Sequence, residues 1–369
     1  MVNSKKNVLL IFGGTWSERD VSIKSAQQVQ QWISDAGFIV RPVRWDHDGW
    51  VKCESQDLEE VREAQHPAEL LQEFVNEGVE VAFNCLHGGA GEDGTVAALF
   101  QMFRIAHTGA GVSGSAISAC KVTFRQRLKG LGINVPKAAV VHREVWRLKS
   151  DEVMRGIVEE IGLPCIVKDP FGGSSDGVSV VSGKSEVVDT IGGLLETCPM
   201  ILVEQFLYGK ELSIPCLGSR QGALPQTLQS VEICLPEGVP FDRKVKDSGK
   251  YVDPGSRQLC DLQIICPSSV DTEVSLDLSR AVRQIHLELD LGTLSRTDLM
   301  ICGDEYFFLE TNTCPGMTHR SLVPLSAKES GFEGPELVRR MLDAAISQPL
   351  GRATGGAFAC KATFSRRHL

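Results

Sequence analysis

The sequence predicts an α/β protein built from two or three domains. Short apolar runs alternate along the chain with amphipathic stretches, and glycine-rich turns follow several of the apolar runs. Such alternation of strand-like and helix-like segments is typical of α/β organisation. At 369 residues the chain is long enough to bury a sizeable core and to divide into more than one domain. We find no internal repeat in it.

Apolar periodicity predicts the elements of the first third of the chain. In order they are a strand over 7–12, a turn at Gly13-Gly14, a helix over 21–36, a strand over 79–86 and a helix over 94–103. One long helix is predicted over 114–131, because Gly132 and Pro136 supply stop signals after it.

The rest of the chain shows mainly strands. They are predicted over 163–169, 178–181, 200–206, 211–218, 294–301 and 306–311. The first two should form a hairpin around the loop 171–177, and the last two should form a hairpin with Gly303-Asp304 as its turn. The segment beyond residue 347 is rich in Gly, Ala and Arg without periodicity, and is expected to be loosely attached.

The composition is that of an ordinary globular protein, with 42% hydrophobic and 23% charged residues. The formal net charge of −9 argues against a surface dedicated to nucleic acid or to an anionic membrane. We therefore expect neither of those partners. A nucleotide is not excluded, because its phosphates need only a local cluster of cations and N–H donors.

The twelve cysteines are scattered singly, with no C-x-x-C pair, which fits neither a zinc site nor a redox motif. We expect them to be buried small side chains in a reducing compartment. The charged start of the chain precedes an apolar run of only about six residues, too short for a signal peptide. No apolar stretch reaches the length of a transmembrane helix. The sequence thus predicts a cytoplasmic protein.

Residues 109–114 match G-x-G-x-x-G, the pattern that opens the helix of a dinucleotide-binding fold. That fold also uses an acidic residue about 20 positions later to bind the ribose hydroxyls. No Asp or Glu occurs between Asp93 and Glu144. A nicotinamide site is therefore disfavoured, although a cofactor with a 2′-phosphate could dispense with the acid.

The loop 171–177, FGGSSDG, is a stronger candidate for phosphate binding, since it lies between two predicted strands and follows Lys168. Its glycines let backbone N–H groups turn toward one point, and its serines add hydroxyl donors. Lys168 would add a positive charge at the phosphates. The loop is not a Walker loop, because no Gly-Lys-Ser/Thr follows at the required spacing. The alternative is an ordinary flexible hairpin.

Asp298, Glu310 and Asn312 form a candidate metal site. Glu310 and Asn312 are two residues apart on one predicted strand and so share a face, and hairpin pairing can bring Asp298 beside them. Two carboxylates and an amide oxygen are hard ligands that suit Mg²⁺ together with phosphates and water. A solvated acidic hairpin is the alternative, but it explains poorly why these residues are embedded among Leu, Phe and Thr.

Arg296 precedes Asp298 by two residues and so lies on the same strand face. An arginine there suits the charge that develops on a carboxylate under attack, although a structural ion pair is the alternative. Glu18 and His87 each follow the end of a predicted strand, where open α/β sheets bind ligands. Taken alone, Glu18 could be an acid of a helix first turn and His87 a loop residue.

Seven sequence blocks, taken in order, resemble the D-alanine–D-alanine ligase family from residue 7 to about residue 345. The blocks are GGTWSERDVS, LHGGAGEDGT, TGAGVSGSAISACK, IVKDPFGGSSDGVS, ILVEQFLYGKEL, SRTDLM and LETNTCPGMTHRSLVP. The resemblance implies the ATP-grasp fold, an α/β architecture of three domains with ATP held between two antiparallel sheets. The expected bounds are 1–109 for the N-terminal domain on the first-substrate side, 110–205 for the central ATP-grasp domain, 206–346 for the C-terminal domain with the metal and acceptor sites, and 347–369 for a flexible tail.

The resemblance also implies roles for individual residues. Those implied to bind ATP are Lys121, Lys168, Ser175, Glu204, Gln205, Leu207, Glu211 and Lys246. Those implied to hold two Mg²⁺ ions, with Mn²⁺ as a substitute, are Asp298, Glu310 and Asn312. The implied catalytic residues are Glu18, Ser174, Arg296 and Gly316, and the implied substrate-binding residues are His87, Ser321, Leu322 and Tyr251. We also expect a homodimer.

The activity that the resemblance implies is ATP-dependent ligation of two D-alanine molecules for the peptidoglycan precursor. A carboxylate would attack the γ-phosphate to give an acyl phosphate, which the amine of the second amino acid would then attack. The alternative is a related ligase that joins a different amino-acid pair in a specialised biosynthetic pathway.

Three departures from the family pattern lie at the substrate end. The family's Lys-Tyr pair corresponds either to Lys246-Asp247 or to Lys250-Tyr251, and the loop that runs from there to Cys266 is longer than usual. Asp176 and His319-Arg320 also replace the residues usually found at their positions. If Tyr251 caps the site, an acceptor as small as D-alanine fits; if Asp247 does, a larger or cationic acceptor becomes plausible.

Overall fold

The structure is a computed structural model that describes residues 6–54, 58, 63–173, 178–219, 223–236, 239, 243–253 and 256–348, with only the backbone of residues 243, 244 and 247. Three larger sheets and one two-stranded sheet organise this part of the chain. The prediction of an α/β protein is confirmed. Within the described residues, no helix is both long and apolar enough to cross a membrane.

The first sheet has five strands in the order β3-β2-β1-β4-β5, all parallel except for the edge strand β3. Its strands are β1 (Asn7–Gly13), β2 (Ile39–Asp46), β3 (Gly49–Lys52), β4 (Val81–Asn84) and β5 (Ala106–His107). The continuous apolar run of β1 is buried on both faces, as is typical of the centre of a parallel sheet. Its helices are α1 (Arg19–Asp35), α2 (Pro67–Asn76), α3 (Gly89–Glu92) and α4 (Thr95–Met102).

The second sheet is four-stranded and antiparallel, in the order β6-β9-β7-β8. Its strands are β6 (Ala138–His142), β7 (Cys165–Lys168), β8 (Ser179–Val181) and β9 (Met200–Gln205). One face is covered by α7 (Arg143–Gly156), a π-helical turn (Ile157–Ile161) and α8 (Lys184–Thr197). The predicted hairpin of β7 and β8 is confirmed.

The third sheet is antiparallel and has six strands, with β11 paired to β10 beside the path β15-β12-β10-β16-β17. Its strands are β10 (Lys210–Leu217), β11 (Gln226–Thr227), β12 (Val231–Cys234), β15 (Gln263–Ile265), β16 (Leu294–Cys302) and β17 (Glu305–Asn312). Helix α9 (Arg243–Ser248) leads into the two-stranded sheet of β13 (Lys250–Val252) and β14 (Leu259–Asp261). The predicted hairpin of β16 and β17 is confirmed.

The single helix predicted over 114–131 is wrong in one respect, because two helices occupy this stretch. They are α5 (Val112–Ala119) and α6 (Lys121–Gly130), separated by Cys120 in an extended conformation. The backbone N–H of Lys121 donates to the carbonyl of Pro170 over 2.9 Å instead of continuing the helix. This tertiary hydrogen bond explains the break, which periodicity alone does not show. Phe124 and Leu128 of α6 pack against the third sheet and α10 (Thr272–Glu288).

The chain returns at its end to the first sheet through α11 (Leu322–Glu329) and α12 (Gly334–Ser347). Leu337, Met341 and Leu342 of α12 are buried in one core with Val29 and Ile33 of α1. Residues 349–369, most of the predicted tail, lie outside the described residues. The predicted domain bounds stay a prediction.

All eleven described cysteines are free, and six of them are buried. The expectation of buried small side chains therefore holds for these six, while the other five are partly exposed.

We predict that Gly334→Ala destabilises the protein. A Cβ at Gly334 would lie 2.1 Å from Cε2 of Trp32, in the ring of a side chain packed between α1 and α12. Overpacking of this kind costs about 1–3 kcal/mol in the free energy of unfolding, measured by denaturant titration. Gly156→Ala is the matched control, since a Cβ there meets nothing within 4 Å, and it should be neutral or slightly stabilising. Equal stability of the two variants would contradict the prediction.

Candidate active site

The antiparallel pair of β16 and β17 carries the predicted metal ligands. Asp298 lies opposite Glu310, and Arg296 lies opposite Asn312. Asn312 Nδ2 donates to Asp298 Oδ2 over 3.1 Å, and the ladder is irregular just after Asp298. The structure thus brings the three expected ligands together on neighbouring strands.

These residues fit a magnesium site by their chemistry. Two carboxylates and an amide oxygen are hard donors of the type that Mg²⁺ binds together with phosphate and water. Burial alone would raise the pKa of Glu310, but Lys121 and Lys246 hold that pKa below its ordinary value. Glu310 is therefore ionised, as a metal ligand must be. Within the described part of the chain no group of three His, Cys, Asp or Glu side chains is placed to hold a metal ion.

Arg296 forms a two-point ion pair with Asp298. Its Nε donates to Asp298 Oδ1 over 3.0 Å and its Nη2 to Oδ2 over 2.7 Å. Burial alone would lower the pKa of Arg296, but Asp298 raises that pKa above its ordinary value, so the guanidinium stays charged. Ser213 Oγ donates to the same carboxylate over 2.5 Å. The structural ion pair, which the sequence left as the alternative for Arg296, is therefore present, and Arg296 also lines the cavity described below.

The two expected phosphate lysines are both buried and both paired with acids. Lys121 begins α6, where its Nζ lies 3.0 Å from Glu310 Oε2 and donates to the carbonyl of Gly172 over 2.6 Å. Burial would lower the pKa of Lys121, but Glu310 raises it above its ordinary value. Lys168 ends β7 and pairs with Glu204 of the neighbouring strand β9. Each ammonium thus has a carboxylate partner in the structure.

Arg125 is a buried cation that the sequence gave no reason to single out. Its Nη1 donates to Glu204 over 2.5 Å, and its Nη2 donates to the carbonyl of Pro136. Glu204, expected in the adenosine pocket, therefore lies between Arg125 and Lys168. A cation four residues after Lys121 on α6 was the available signal, but it could not be told from a surface charge.

The other expected adenosine residues lie where the chain passes from the second sheet to the third. Gln205 ends β9, Leu207 is in the connection, and Glu211 is on β10. The pKa of Glu211 is raised to about 7, mainly by burial; Lys246 opposes this shift, and the charges of Asp298 and Glu310 add to it.

A cavity of about 700 Å³ joins the first and third sheets. It is lined by the following expected site residues: Glu18, His87, Lys246, Arg296, Glu310, Asn312, Gly316, Ser321 and Leu322. Its volume is typical of a small-molecule site. The structure thus brings expected site residues from the ends of β1, β4 and β17 and from the start of α11 to one cavity.

Glu18 lies against two glycines of different loops. A Cβ on Gly88 would lie 1.8 Å from Glu18 Oε2, and one on Gly173 would lie 2.8 Å from the same oxygen. Gly88 has φ +65°, which L side chains rarely adopt. Gly173 of the glycine-rich loop 171–177 therefore lies against the carboxylate expected to hold the first substrate. Ser174, Ser175 and Asp176 lie outside the described residues.

Glu92 is a second site residue that sequence reasoning missed. Its Oε1 accepts from the backbone N–H of Gly88 and its Oε2 from that of Thr313, each over 3.1 Å. Burial and the nearby charge of Glu18 raise the pKa of Glu92 to about 7, although backbone N–H groups that donate to its carboxylate lower it. Glu92 thus joins the loop after β4 to the turn after β17. The sequence shows this acid in the block LHGGAGEDGT, but it gives no sign that the acid binds the backbone of Thr313.

The residues expected on the acceptor side lie together at the start of α11. Ser321 precedes the helix, accepts from the backbone N–H of Thr318 over 3.1 Å, and lies 2.9 Å from where a Cβ on Gly316 would be. A helix N-terminus with free N–H groups favours a carboxylate. Ser321, Leu322 and Gly316 therefore lie together as expected.

The two alternatives for the Lys-Tyr pair differ in position. Lys246 lines the cavity, with Leu262 and Ile264 in the same wall. Tyr251 is on β13, opposite Cys260 of β14, and is not among the residues that line the cavity. The structure therefore does not bring Tyr251 to the expected substrate site. The side chain of Asp247 lies outside the described residues.

Comparison with known proteins agrees with this geometry. Residues 7–110 match the family model of the D-ala D-ala ligase N-terminus, and residues 128–343 match that of the D-ala D-ala ligase C-terminus. A D-alanine–D-alanine ligase from Methylibium petroleiphilum is 33% identical over 346 residues, which cover 92% of this chain and 95% of that protein. The chain belongs to the D-alanine–D-alanine ligase family. It is therefore an ATP-dependent carboxylate–amine ligase. Members of this family use ATP and Mg²⁺.

Solved structures show the fold of this ligase. D-alanine–D-alanine ligases from Coxiella burnetii and Bacillus anthracis superpose with TM-scores of 0.73 and 0.69, each at 20% identity, covering 93% and 92% of this chain and 94% and 97% of theirs. The VanG D-Ala:D-Ser ligase from Enterococcus faecalis gives 0.74 at 23% identity, over 93% of this chain and all of that one. The expected ATP-grasp fold is confirmed.

We predict that Gly88→Ala weakens binding of the first amino acid to this ligase. The new Cβ would displace the Glu18 carboxylate and strain a backbone with φ +65°. If binding of that amino acid loses the about 1–3 kcal/mol that such strain costs, its KM in steady-state assays should rise by roughly 5–150-fold. Gly78→Ala separates the two effects, because Gly78 has φ +79° but open space around it. A similar rise in KM for both variants would contradict a role for the Glu18 contact.

We also predict that Glu92 contributes to the pH dependence of the free energy of unfolding. Since its pKa rises from 4.5 to about 7 on folding, the native state binds more protons than the unfolded state between these values. Its contribution to stability is therefore lost as the pH rises toward about 7. The free energy of unfolding of Glu92→Gln, taken relative to that of the wild type, should therefore increase as the pH rises from 4.5 to about 7. The titration of Glu211 contributes to both proteins and cancels in this difference. A difference independent of pH would contradict the assignment.

Proposed function

We propose that this ligase joins two D-alanine molecules into D-alanyl-D-alanine for peptidoglycan precursor synthesis, with conversion of ATP to ADP and phosphate. The observation that carries the proposal is the single cavity in which Glu18, Arg296, Glu310 and Asn312 meet. An ammonium-binding acid, an oxyanion-binding cation and a metal-binding pair are the groups that this reaction needs. The match to a curated relative of this activity over 92% of the chain supports it.

In the first half of the reaction, Glu18 holds the ammonium group of the first D-alanine. The carboxylate of this D-alanine attacks the γ-phosphorus of ATP, so that an acyl phosphate forms and ADP leaves. Lys121 and Lys168 bind the phosphates, exchanging their present partners Glu310 and Glu204 for phosphate oxygens. Asp298, Glu310 and Asn312 would hold Mg²⁺, which would neutralise charge on the transferring phosphoryl group.

In the second half, the amine of the second D-alanine attacks the acyl carbon and phosphate leaves. Ser321 and the N-terminus of α11 hold the carboxylate of this acceptor. Arg296 and the backbone N–H of Gly316 stabilise the oxyanion of the tetrahedral intermediate. Gly172 lies against Lys121 and Gly173 against Glu18, and these two glycines help to exclude water from the acyl phosphate.

Several finer expectations belong to this proposal. They are two Mg²⁺ ions per site, substitution by Mn²⁺, a homodimer, a cytoplasmic location, and three domains centred on the three larger sheets. Lys246, which lines the cavity, is proposed to act with Lys121 and Lys168 at the phosphates. The alternative of a different amino-acid pair is not favoured by the family match.

Incubation with D-alanine, ATP and Mg²⁺ tests the proposal directly. We expect ADP release matched by formation of the dipeptide, measured by a coupled assay and mass spectrometry, and no dipeptide from L-alanine. If another amino-acid pair releases ADP while D-alanine gives no dipeptide, the substrate is wrong and the ligase chemistry stands.

We predict that Glu310→Gln abolishes turnover, because the amide removes one hard anionic ligand, while the protein stays folded with a lower thermal midpoint, because Lys121 loses its charged partner. Glu305→Gln is the matched control, since Glu305 is an exposed acid at the start of the same strand and should leave turnover unchanged. Full activity of Glu310→Gln at ordinary Mg²⁺ would remove Glu310 from the metal site.

A further inference from the structure

A buried serine and a buried histidine join three distant parts of the chain. His87 Nδ1 lies 2.7 Å from the carbonyl oxygen of Cys314, and His87 Nε2 lies 2.8 Å from Ser25 Oγ. The backbone N–H of Met317 donates to the same Ser25 Oγ over 3.2 Å. Ser25 is fully buried and His87 is 4% exposed. Helix α1, the loop after β4 and the turn after β17 therefore meet at these two side chains.

The chemistry of the groups fixes the direction of each hydrogen bond. A carbonyl oxygen can only accept, so His87 Nδ1 must carry the proton that it donates to Cys314. In a neutral imidazole Nε2 then accepts, and the Ser25 hydroxyl donates to it. Ser25 Oγ is left with a lone pair for the N–H of Met317. Every polar atom of the pair is satisfied with His87 neutral, and burial also lowers the pKa of His87.

The two backbone groups held in this way are the two ends of one turn. Cys314 supplies its carbonyl and Met317 its N–H, and only Pro315 and Gly316 lie between them. Gly316 is the residue whose N–H faces the oxyanion in the proposed reaction. Glu92 holds the preceding residue, Thr313, from the other side. An N–H donor acts on a developing charge only if its direction is fixed beforehand.

We propose that Ser25 and His87 are positioning residues that hold the turn 314–317 and so aim the Gly316 N–H at the oxyanion formed when the acceptor amine attacks. This inference rests on the proposed function. His87, expected from the resemblance to bind substrate, then serves the turn, because both of its ring nitrogens are engaged by Cys314 and Ser25.

Ser25→Ala tests the inference, since it removes both the donor to His87 and the acceptor of the Met317 N–H. We expect the rate of dipeptide formation to fall about 10–100-fold, the effect of misplacing a catalytic group by roughly 1 Å. The KM for ATP should stay unchanged. Formation of the acyl phosphate should also persist, because Gly316 acts only in the second half of the reaction. It is measured as D-alanine-dependent positional isotope exchange in ¹⁸O-labelled ATP.

Ser22→Ala is the matched control. Ser22 lies one turn earlier on α1, is equally buried, accepts from the N–H of Gly13 over 2.8 Å and donates to the carbonyl of Cys85 over 2.7 Å. Its loss should lower the thermal midpoint as much as Ser25→Ala does without slowing the second half selectively. His87→Asn, which can keep a donor at the position of Nδ1, should retain more activity than His87→Leu.

Hydrogen exchange gives a readout that does not depend on the substrate. Exchange in a peptide covering the turn, followed by mass spectrometry, should be faster in Ser25→Ala than in wild type and Ser22→Ala. Unchanged exchange there, or isotope exchange lost in parallel with dipeptide formation, would overturn the positioning role. Absence of dipeptide formation by the wild-type protein, with faster exchange in Ser25→Ala, would instead reject D-alanine ligation and leave the role of Ser25 in the turn standing.

Discussion

The pairing of β16 with β17 sets the geometry of the candidate metal site and of the residues that follow it in the chain. It places Asp298 opposite Glu310 and Arg296 opposite Asn312, and β16 also pairs with β10, which supplies Ser213 to the Asp298 carboxylate. Side chains alternate between the faces of a strand, so a slip of one residue would turn the set away from the cavity. The turn that carries Gly316 and the start of α11 follow directly from β17, and their positions depend on the same register.

A second constraint is that many charges are buried close together. Ions removed from water are costly unless each has a partner, and the structure meets this with pairs: Asp298 with Arg296, Glu310 with Lys121, and Glu204 with Lys168 and Arg125. Because each lysine is paired with an acid, its charge is neutralised inside the protein. In the proposed reaction, phosphate oxygens of the nucleotide would replace these acids as the partners of Lys121 and Lys168.

Local patterns in the sequence were enough to predict much of this arrangement. Period-two spacing and a short turn predicted the hairpin of Asp298, Glu310 and Asn312, and strand ends followed by polar blocks predicted Glu18 and His87. The ordered blocks predicted the fold. The break at Cys120 was missed because it depends on a hydrogen bond to Pro170, some fifty residues further along the chain. Arg125, Glu92 and Ser25 were missed for a similar reason, since their meaning lies in partners that tertiary packing alone brings near.

The return of α12 to the first sheet has a consequence for how the protein is made. The face of α1 that carries Val29 and Ile33 is covered by residues 334–347, almost the last of the described chain. That face also packs on β1 and β2, which are synthesised early, but the part of it that α12 covers stays exposed until residues 334–347 have left the ribosome, at about 5–20 residues per second. The core of the first sheet is therefore begun by the first residues of the chain and closed only by a segment roughly 300 residues later.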